Sequence, residues 1–338
     1  MTTPNESAEP GHNALGPDGR RALTWLRERE SLLILTHERP DGDAFGCVYA
    51  AAVMLEAAGK SVVARIDTPL PRRYTRIFPS CPTVSSDSEA PFSDKIDGVL
   101  CLDTSSATRA TPEEGLRAAP VCNIDHHRDN ARFGAAQWID PEAGATAEML
   151  TKLFDAAGWL TPAGADCLLT GIMTDTGGLR FPNTTPATLR SAARLCEAGA
   201  QYARLTDALF FREPLERRRL EAHLIESATP HFGGRLMVAT LPPEEIERRG
   251  LTPAELEGLI DVLRGIDGVD VACLIQPGKE TVRISMRARS SATPVDEMAH
   301  QLGGGGHPLA AGVRMDDTTE EEAIEQILEQ AEKALNRP

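Results

Sequence analysis

The sequence contains no apolar run of the roughly 20 residues that a membrane-spanning helix needs. Residues 1–20 are polar and rich in glycine and proline, and they lack the hydrophobic segment of a secretory signal peptide. Both absences disfavour a transmembrane or secreted protein. We therefore expect a cytoplasmic protein without a membrane partner, in which residues 1–20 form a disordered tail.

Paired cysteine motifs are absent as well. The seven cysteines are odd in number and scattered, and no two of them form a C-x-x-C pair. This pattern disfavours a disulfide framework and a zinc ribbon. It agrees with a reducing compartment.

Positively charged residues are fewer than negatively charged ones. The sequence has 35 Lys and Arg, 50 Asp and Glu, and a net charge of −15. Because proteins bind long nucleic acids largely by neutralising phosphates with Lys and Arg, we expect no long duplex partner. A small anionic substrate remains open, since most of the basic residues are arginines, which can bind a phosphate through two hydrogen bonds. A GC-rich genome explains the arginine preference more simply.

A length of 338 residues predicts two domains. Short apolar runs at 31–35, 62–66, 98–102 and 121–124 are separated by helical or loop segments. This alternation predicts an α/β fold with a mostly parallel sheet flanked by helices.

The remaining pattern predicts a helical end to the first domain and a smaller α/β domain after it. We assign residues 21–200 to the first domain, 201–230 to a helical linker and 231–338 to the second domain. Expected helices are 45–58, 146–157, 163–173, 186–197, a linker helix at 213–227 with exposed Arg217, Arg218 and Arg219, 253–264 and 320–335. Expected strands of the second domain are 236–240, 269–275 and 281–286.

Potential metal ligands follow three of the predicted strands. His37, Asp41 and Asp43 come after the first run, Asp103 after the third, and Asp125 after the fourth. In parallel sheets, ligands bind beyond the carboxyl ends of the strands, so these side chains are expected at one edge. Taken singly, the first cluster is also typical of a surface turn with a helix N-cap, and Asp103 of an N-cap.

The triplet Asp125-His126-His127 is harder to explain as ordinary core or surface. His126 can bind a metal, Asp125 can orient a histidine ring, and His127 can meet a substrate. Asp175 ends an apolar helix, where its charge opposes the helix dipole, and this cost favours a functional role.

Together these residues offer two imidazoles and four carboxylates as ligands. Such a mixed nitrogen and oxygen set favours Mn²⁺, and Zn²⁺, Fe²⁺ or Co²⁺ are poorer fits. Mg²⁺ and Ca²⁺ instead prefer sites in which all ligand atoms are oxygens. A hydrolase that uses two metal ions to activate water for phosphoryl displacement is the chemistry predicted.

A run of four glycines, 303–306, precedes His307 in the second domain. Consecutive glycine N–H groups can converge on an anion, although a flexible loop is the ordinary interpretation of such a run. The small residues after Pro308 suggest the start of a helix.

These ordered motifs resemble those of the DHH phosphoesterase superfamily, and residues 303–312 resemble the hallmark of its DHH-associated C-terminal domain. The likeness extends from about residue 21 to about residue 336, and together the motifs resemble the nanoRNase/pAp-phosphatase branch, although phosphodiesterases for cyclic dinucleotides are resembled equally well. That branch hydrolyses short oligoribonucleotides (nanoRNA) and 3′-phosphoadenosine 5′-phosphate (pAp).

The resemblance implies two Mn²⁺ ions, with Co²⁺ or Mg²⁺ as substitutes. His37 and Asp41 would bind one ion, Asp43, His126 and Asp175 the other, and Asp103 both. His127 would face the scissile phosphate, supported by Asp125. Further residues implied in organising the site or binding a terminal phosphate are Arg180, Asn183, Arg287, Gly304, Gly305, Gly306 and His307.

The sequence departs from the family pattern at two positions. Cys47 replaces a small hydroxyl residue, and Ala288 stands where a serine is common after Arg287. Alternative functions are a phosphodiesterase for cyclic di-AMP or linear pApA, an inorganic pyrophosphatase and a non-catalytic nucleotide-binding module. A homodimer remains open.

Overall fold

The computed structural model describes residues 15–336 except 67, 87–94 and 257. The chain forms two compact units, divided between Arg212 and Glu213. Most of the predicted N-terminal tail lies outside the described residues, but the first helix begins at Pro17, inside the range predicted to be tail. None of the described helices is both long and apolar enough to cross a bilayer.

The first unit combines seven strands with six helices in its described residues. The strands are β1 (Ser31–His37), β2 (Ser61–Arg65), β3 (Val84–Ser85), β4 (Gly98–Leu102), β5 (Ala110–Thr111), β6 (Val121–Asp125) and β7 (Ala136–Ile139). The helices are α1 (Pro17–Arg27), α2 (Gly42–Ala57), α3 (Thr146–Ala157), α4 (Pro162–Asp175), α5 (Pro186–Glu197) and α6 (Tyr202–Thr206).

The predicted parallel sheet is confirmed, with the order β3-β2-β1-β4-β6-β7 and parallel pairing throughout this path. Among the described strands of this unit, β5 alone pairs in antiparallel fashion, with the end of β1. Leu32 and Ile34 face a large core shared with the helices, whereas Leu33 and Leu35 face a smaller one on the opposite side. Burial on both faces explains why β1 is a continuous apolar run.

The helices differ from the prediction mainly at their ends. Helix α2 starts at Gly42 rather than at residue 45, because Asp41 caps its first turn. Helix α4 is longer than predicted and ends at Asp175. These two shifts place acidic side chains at helix termini beside the sheet edge.

The second unit contains a six-stranded sheet. Its strands are β8 (Thr229–His231), β9 (Leu236–Thr240), β10 (Val271–Pro277), β11 (Thr281–Ala288), β12 (Gly305–His307) and β13 (Ala310–Asp316). Its helices are α7 (Leu215–Ser227), α8 (Pro243–Arg249), α9 (Asp261–Arg264), α10 (Val295–Gln301) and α11 (Glu320–Leu335). The order is β12-β13-β11-β10-β9-β8, and within the described part of this unit only β9 and β10 pair in parallel.

Three predictions for residues beyond 200 are wrong. Arg217 is not exposed but buried, because Glu213 and Glu221 pair with its guanidinium at 3.5 and 3.3 Å. The helix expected at 253–264 is a short 3-10 turn followed by α9, interrupted by Gly258 at a φ of +71°. The small residues after Pro308 start strand β13 rather than a helix.

Candidate metal centre

The sheet edge brings the first three ligand segments together, as the sequence predicts. His37 is the last residue of β1, Asp103 follows β4, and Asp125 is the last residue of β6. These strands are neighbours in the order β1-β4-β6. Because parallel strands all end at the same edge, the three side-chain groups lie side by side.

Asp103 lies at the centre of the group. Its Oδ2 is 3.7 Å from Nε2 of His37, and its Oδ1 is 3.8 Å from Nε2 of His126. The two oxygens of one carboxylate therefore face two different imidazoles. Asp103 also has a φ of +54°, a left-handed conformation that costs a non-glycine residue about 1–3 kcal/mol and occurs at functional sites.

Both imidazoles are oriented by backbone carbonyls. Nδ1 of His37 lies 2.7 Å from the carbonyl oxygen of Glu38, and Nδ1 of His126 lies 3.3 Å from that of Ala143. A carbonyl can only accept, so each Nδ1 carries the proton. When the ring is neutral its lone pair is then on Nε2, the nitrogen that faces Asp103, as a metal ligand requires.

Asp41 and Asp43 both lie at the start of α2. Asp41 is the N-cap, and its Oδ1 accepts hydrogen bonds from the N–H groups of Asp43 and Ala44. The N-cap interpretation of this segment is thus correct, and it is compatible with the ligand interpretation because a carboxylate offers about four lone-pair positions.

Asp43 is fully enclosed at the N-terminus of a second helix. Its Oδ2 and Oδ1 accept hydrogen bonds from the N–H groups of Thr146 and Ala147, at 2.6 and 3.0 Å. The thiol of Cys47 lies 3.4 Å from Oδ1 and donates to it weakly. Burial and the charge of Asp43 raise the pKa of Cys47, so it remains a thiol and keeps the proton that a hydroxyl residue would offer.

Asp175 completes the group from the C-terminal end of α4. Its Oδ2 is 3.3 Å from Nε2 of His126. Asn183 donates from Nδ2 to the carbonyl oxygens of Asp175 and Gly144, which ties the end of α4 to the loop before α3. Arg180 is exposed and stacks on Phe210 at 5.6 Å, so the described contacts give it a local packing role.

Asp125 orients His127 rather than His126. Nδ1 of His127 lies 2.7 Å from Oδ1 of Asp125, and Nδ2 of Asn130 donates to Oδ2 at 2.6 Å. Asn130 also donates to Asn123 and to the carbonyl of Thr104, which anchors this pair to the neighbouring strand. Sequence analysis missed Asn130, because an asparagine in a loop carries no local signal of such a role.

Without a metal ion, the charged side chains of this group shift one another's pKa values. Burial and the charges of Asp103 and Asp175 raise the pKa of Asp43 well above its usual range. Burial alone would raise the pKa of Asp103 too, but a hydrogen bond with His37 and the nearby histidine charges lower it. A divalent cation bound among these carboxylates would relieve the repulsion between their charges.

The pKa of His127 is raised by its surroundings. Burial lowers its pKa, but the hydrogen bond with Asp125 and the charges of Asp103, Asp125 and Asp175 outweigh this effect and raise the pKa to about 10. In the metal-free form the ring is therefore an imidazolium near neutral pH. Divalent cations beside it would lower this value.

The donor atoms fit divalent metal ions in two overlapping groups. His37, Asp41 and Asp103 offer ligand atoms within 4.8 Å of one another, and so do Asp43, Asp103 and His126. Asp103 belongs to both groups. The mixed imidazole and carboxylate set suits Mn²⁺ and related transition metals.

In the second unit, the strand register aligns two of the predicted phosphate-binding residues. Arg287 of β11 and His307 of β12 both pair with Ala310 of the intervening β13. Residues directly opposite each other share one face of a sheet, so both side chains project from the same face. Arg287 lies within β11, which extends two residues beyond its predicted end.

The glycine run forms part of strand β12 rather than a loop. The N–H of Gly304 donates to the carbonyl of Ala299 at 2.8 Å, so it is not available to a phosphate. A Cβ on Gly304 would lie 2.2 Å from the carbonyl oxygen of Gly312, and one on Gly306 would lie 2.5 Å from that of Ala310. These glycines are needed for the close approach of β12 to β13, whereas an anion-binding role of Gly305 and Gly306 stays a prediction.

Ala288, the second departure from the family pattern, is fully buried on the opposite face of β11 from Arg287. A serine there would point into the core. The departure therefore does not bear on the surface that carries Arg287 and His307.

Comparisons with known proteins agree with both halves of this description. The DHH family N-terminal domain matches residues 31–172, and the DHHA1 domain matches residues 233–337. The chain is 35% identical over 316 residues to the bifunctional oligoribonuclease and PAP phosphatase NrnA of Thermus thermophilus, with 90% of each chain covered.

Two further proteins are similar to the chain. The chain is 26% identical over 328 residues to the cyclic-di-AMP phosphodiesterase PdeA of Listeria monocytogenes, covering 90% of this chain but 47% of that protein. The crystal structure of an exopolyphosphatase-related protein from Bacteroides fragilis has the same fold, with a TM-score of 0.83, 24% identity, and 94% and 96% of the two chains covered. The chain belongs to the DHH family, as a member with a DHHA1 domain in the branch that contains the NrnA proteins.

Proposed function

We propose that this protein is a metal-dependent phosphoesterase that hydrolyses short oligoribonucleotides and pAp with two Mn²⁺ ions. The observation that carries the proposal is the position of Asp103, whose two oxygens face His37 and His126 on opposite sides. A bridging carboxylate between two sets of terminal ligands is the arrangement that two-metal hydrolysis needs. The 35% identity to an NrnA protein over 90% of both chains supports the same substrate class.

The ligands divide as the family resemblance implies. His37 and Asp41 would hold one ion, Asp43, His126 and Asp175 the other, and Asp103 both. When bound, such a pair supplies a water of lowered pKa and neutralises phosphate oxygens, and Co²⁺ or Mg²⁺ would be substitutes for Mn²⁺.

His127 acts on the substrate in this proposal. Asp125 accepts from Nδ1 and fixes the ring, and Nε2 donates a hydrogen bond to an oxygen of the scissile phosphate. Asn130 holds Asp125 in turn. The chain therefore positions a cationic donor where negative charge increases during hydrolysis.

Arg287 and His307 bind a terminal phosphate of the substrate. Their shared face of the second sheet lets a guanidinium and an imidazole act together on one anion. Arginine can bind a phosphate through two hydrogen bonds, which gives both strength and direction. A terminal phosphate as the recognised feature explains a preference for short substrates over long RNA.

A second candidate is a phosphodiesterase for cyclic di-AMP or its linear product pApA. The similarity to PdeA favours it, but this chain covers only 47% of that protein. All six residues that the family resemblance implies as metal ligands are present in the sequence, and this disfavours a non-catalytic binding module. The second unit contains the glycine run 303–306 where an inorganic pyrophosphatase would be expected to carry lysine and arginine phosphate clamps, which disfavours that function.

The experiment that tests the proposal is a metal titration of activity. Protein freed of metal with a chelator should release phosphate from pAp and mononucleotides from a diribonucleotide only after Mn²⁺ is added. The Asp175→Ala variant should remain inactive at every Mn²⁺ concentration while its circular dichroism spectrum is unchanged. Activity of the variant equal to that of the wild type would remove Asp175 from the ligand set.

The seven cysteines are all free, which agrees with the proposed cytoplasmic location.

A further inference from the structure

The segment at the start of α3 contacts several of the proposed metal ligands. No feature predicted from the sequence explains these contacts. The carbonyl of Ala143 orients His126, and the carbonyl of Gly144 is tied through Asn183 to the end of α4. Thr146, the first residue of the helix, contacts two ligands itself. It lies outside every motif that points to metal binding in the sequence.

Thr146 holds two carboxylates with two different groups. Its backbone N–H donates to Oδ2 of Asp43 at 2.6 Å, and its Oγ1 donates to Oδ1 of Asp103 at 2.8 Å. Asp43 and Asp103 come from different elements, the N-terminus of α2 and the end of β4. One fully buried residue therefore fixes their relative orientation.

The first N–H groups of α3 depend on Asp43 for their hydrogen bonds. Ala145 is the N-cap and makes no side-chain capping bond, so the first N–H groups of the helix would lack a partner from their own segment. Asp43 supplies that partner from α2, accepting from Thr146 and Ala147. The helix start and the ligand stabilise each other, as a carboxylate near a helix N-terminus is expected to do.

The hydroxyl contact matters most for Asp103. Its backbone adopts a left-handed conformation, which is uncommon for a residue other than glycine, and hydrogen bonds hold the residue at both its main chain and its side chain. The main-chain N–H of Asp103 is held by the carbonyl of Ile124 at 3.0 Å, and Thr146 holds the carboxylate end. Oδ1 can accept this proton and still bind a metal, because each carboxylate oxygen has two lone pairs.

We propose that Thr146 is a positioning residue of the metal centre, whose hydroxyl fixes the bridging carboxylate of Asp103 relative to Asp43 so that both ions are bound at once. The inference rests on the proposed two-metal function. A group that orients a ligand commonly accounts for about 10- to 100-fold in metal affinity or activity.

Substitution of Thr146 by valine isolates the hydroxyl. Thr146→Val keeps the N–H donated to Asp43 and the branched shape of the side chain, but removes the donor to Asp103. Thr146→Ser keeps the donor and removes a methyl group. The matched control is Thr151→Val, since Thr151 is also buried in α3 but donates its hydroxyl proton to the carbonyl of Ala147 rather than to a carboxylate.

The measurements are Mn²⁺ affinity by calorimetry and the electron paramagnetic resonance spectrum of protein loaded with two equivalents of Mn²⁺. We expect Thr146→Val to weaken Mn²⁺ binding about 10- to 100-fold and to lose the spectral signature of a coupled ion pair. Thr146→Ser and Thr151→Val should retain both. Thr146→Ala provides the same test if the valine variant does not fold.

The proposal is overturned if Thr146→Val binds Mn²⁺ and couples the ions like the wild type. It is also overturned if Thr146→Ser or Thr151→Val loses as much as Thr146→Val, since the loss would then not come from the hydroxyl. Metal binding is measured without substrate. A wild-type protein that binds a coupled Mn²⁺ pair but hydrolyses neither pAp nor dinucleotides would contradict the proposed function and leave the role of Thr146 intact.

Discussion

Oδ1 of Asp125 lies 2.7 Å from Nδ1 of His127, so the acid of the Asp-His-His triplet orients the second histidine, whereas the first is oriented by the carbonyl of Ala143. The triplet thus serves two purposes with adjacent residues. His126 faces the other ligands through Nε2, and His127 is held as a cation by its own carboxylate.

The first prediction separates these two purposes. Asp125→Asn removes the charge that holds His127 as an imidazolium but leaves the direct metal ligands in place. We expect kcat for pAp to fall about 10- to 100-fold, the usual cost of losing a group that orients a reacting residue. Mn²⁺ affinity, measured by calorimetry, should change little. A large loss of Mn²⁺ affinity with unchanged kcat at saturating metal would show that Asp125 serves the metal instead.

The second prediction concerns the bridging ligand. Asp103→Asn should reduce activity by more than the roughly 100-fold seen for orienting groups, because the ligand itself is lost. Asparagine tolerates the left-handed conformation at this position, so the fold should be kept. Thermal denaturation without metal checks the fold, and Mn²⁺-dependent rates check the function. Near-normal rates would contradict the bridging role.

The third prediction concerns substrate binding by the second unit. Arg287→Ala should raise KM for pAp about 10- to 100-fold, since a hydrogen bond to a charged group contributes roughly 1.5–3 kcal/mol. The control is Arg283→Ala, which removes an exposed arginine from the same strand outside the row that contains His307. Equal KM values for the two variants would contradict a specific role of Arg287.

The fourth prediction is that Mn²⁺ affinity falls as pH decreases through neutrality. Burial lowers the pKa of His37, but its contacts with Asp103 and the charge of Asp41 raise it overall, and burial raises that of Asp43. Both groups hold protons more tightly than usual in the metal-free form and must lose them to bind a metal. Calorimetry in two buffers of different ionisation enthalpy should detect proton release on Mn²⁺ binding. Binding without proton release would show that the ligands are already deprotonated.

The fifth prediction concerns the departure at Cys47. Its thiol donates weakly to Asp43, so Cys47→Ser should keep or improve Mn²⁺-dependent activity by supplying a better donor. Cys47→Ala should lower Mn²⁺ affinity, because Oδ1 of Asp43 loses a donor. An alanine variant with wild-type affinity would show that the thiol contact is irrelevant to the site.

The sequence predicts the strands and the sheet edge because β1 and β4 are largely continuous apolar runs and β6 is apolar up to Asp125 except for Asn123, and candidate metal ligands lie at or just after the end of each. Convergence of the ligands then follows from parallel topology alone. The contacts that orient the ligands are less accessible to sequence reasoning. Thr146 is 43 residues from Asp103 and 103 residues from Asp43, and such separations leave no local pattern.

For the glycine run, the local preference of the residues predicts the wrong structure. Glycine disfavours strands, so residues 303–306 are interpreted as a loop, yet Gly305–His307 pairs with β13. Only the tertiary contact explains this, because a side chain at Gly304 or Gly306 would collide with the carbonyls of the neighbouring strand. The strained φ of Asp103 is likewise set by its surroundings rather than by local preference.

The measurement that tests the account most directly is a ranking of kcat/KM with Mn²⁺ over a single panel of substrates. The panel contains pAp, di-, tri- and pentaribonucleotides, a much longer single-stranded RNA, pApA, cyclic di-AMP and pyrophosphate. We predict that pAp and the shortest oligoribonucleotides give the highest values and that the long RNA and pyrophosphate give the lowest. A preference for cyclic di-AMP or for the long RNA over pAp and the diribonucleotide would contradict the account.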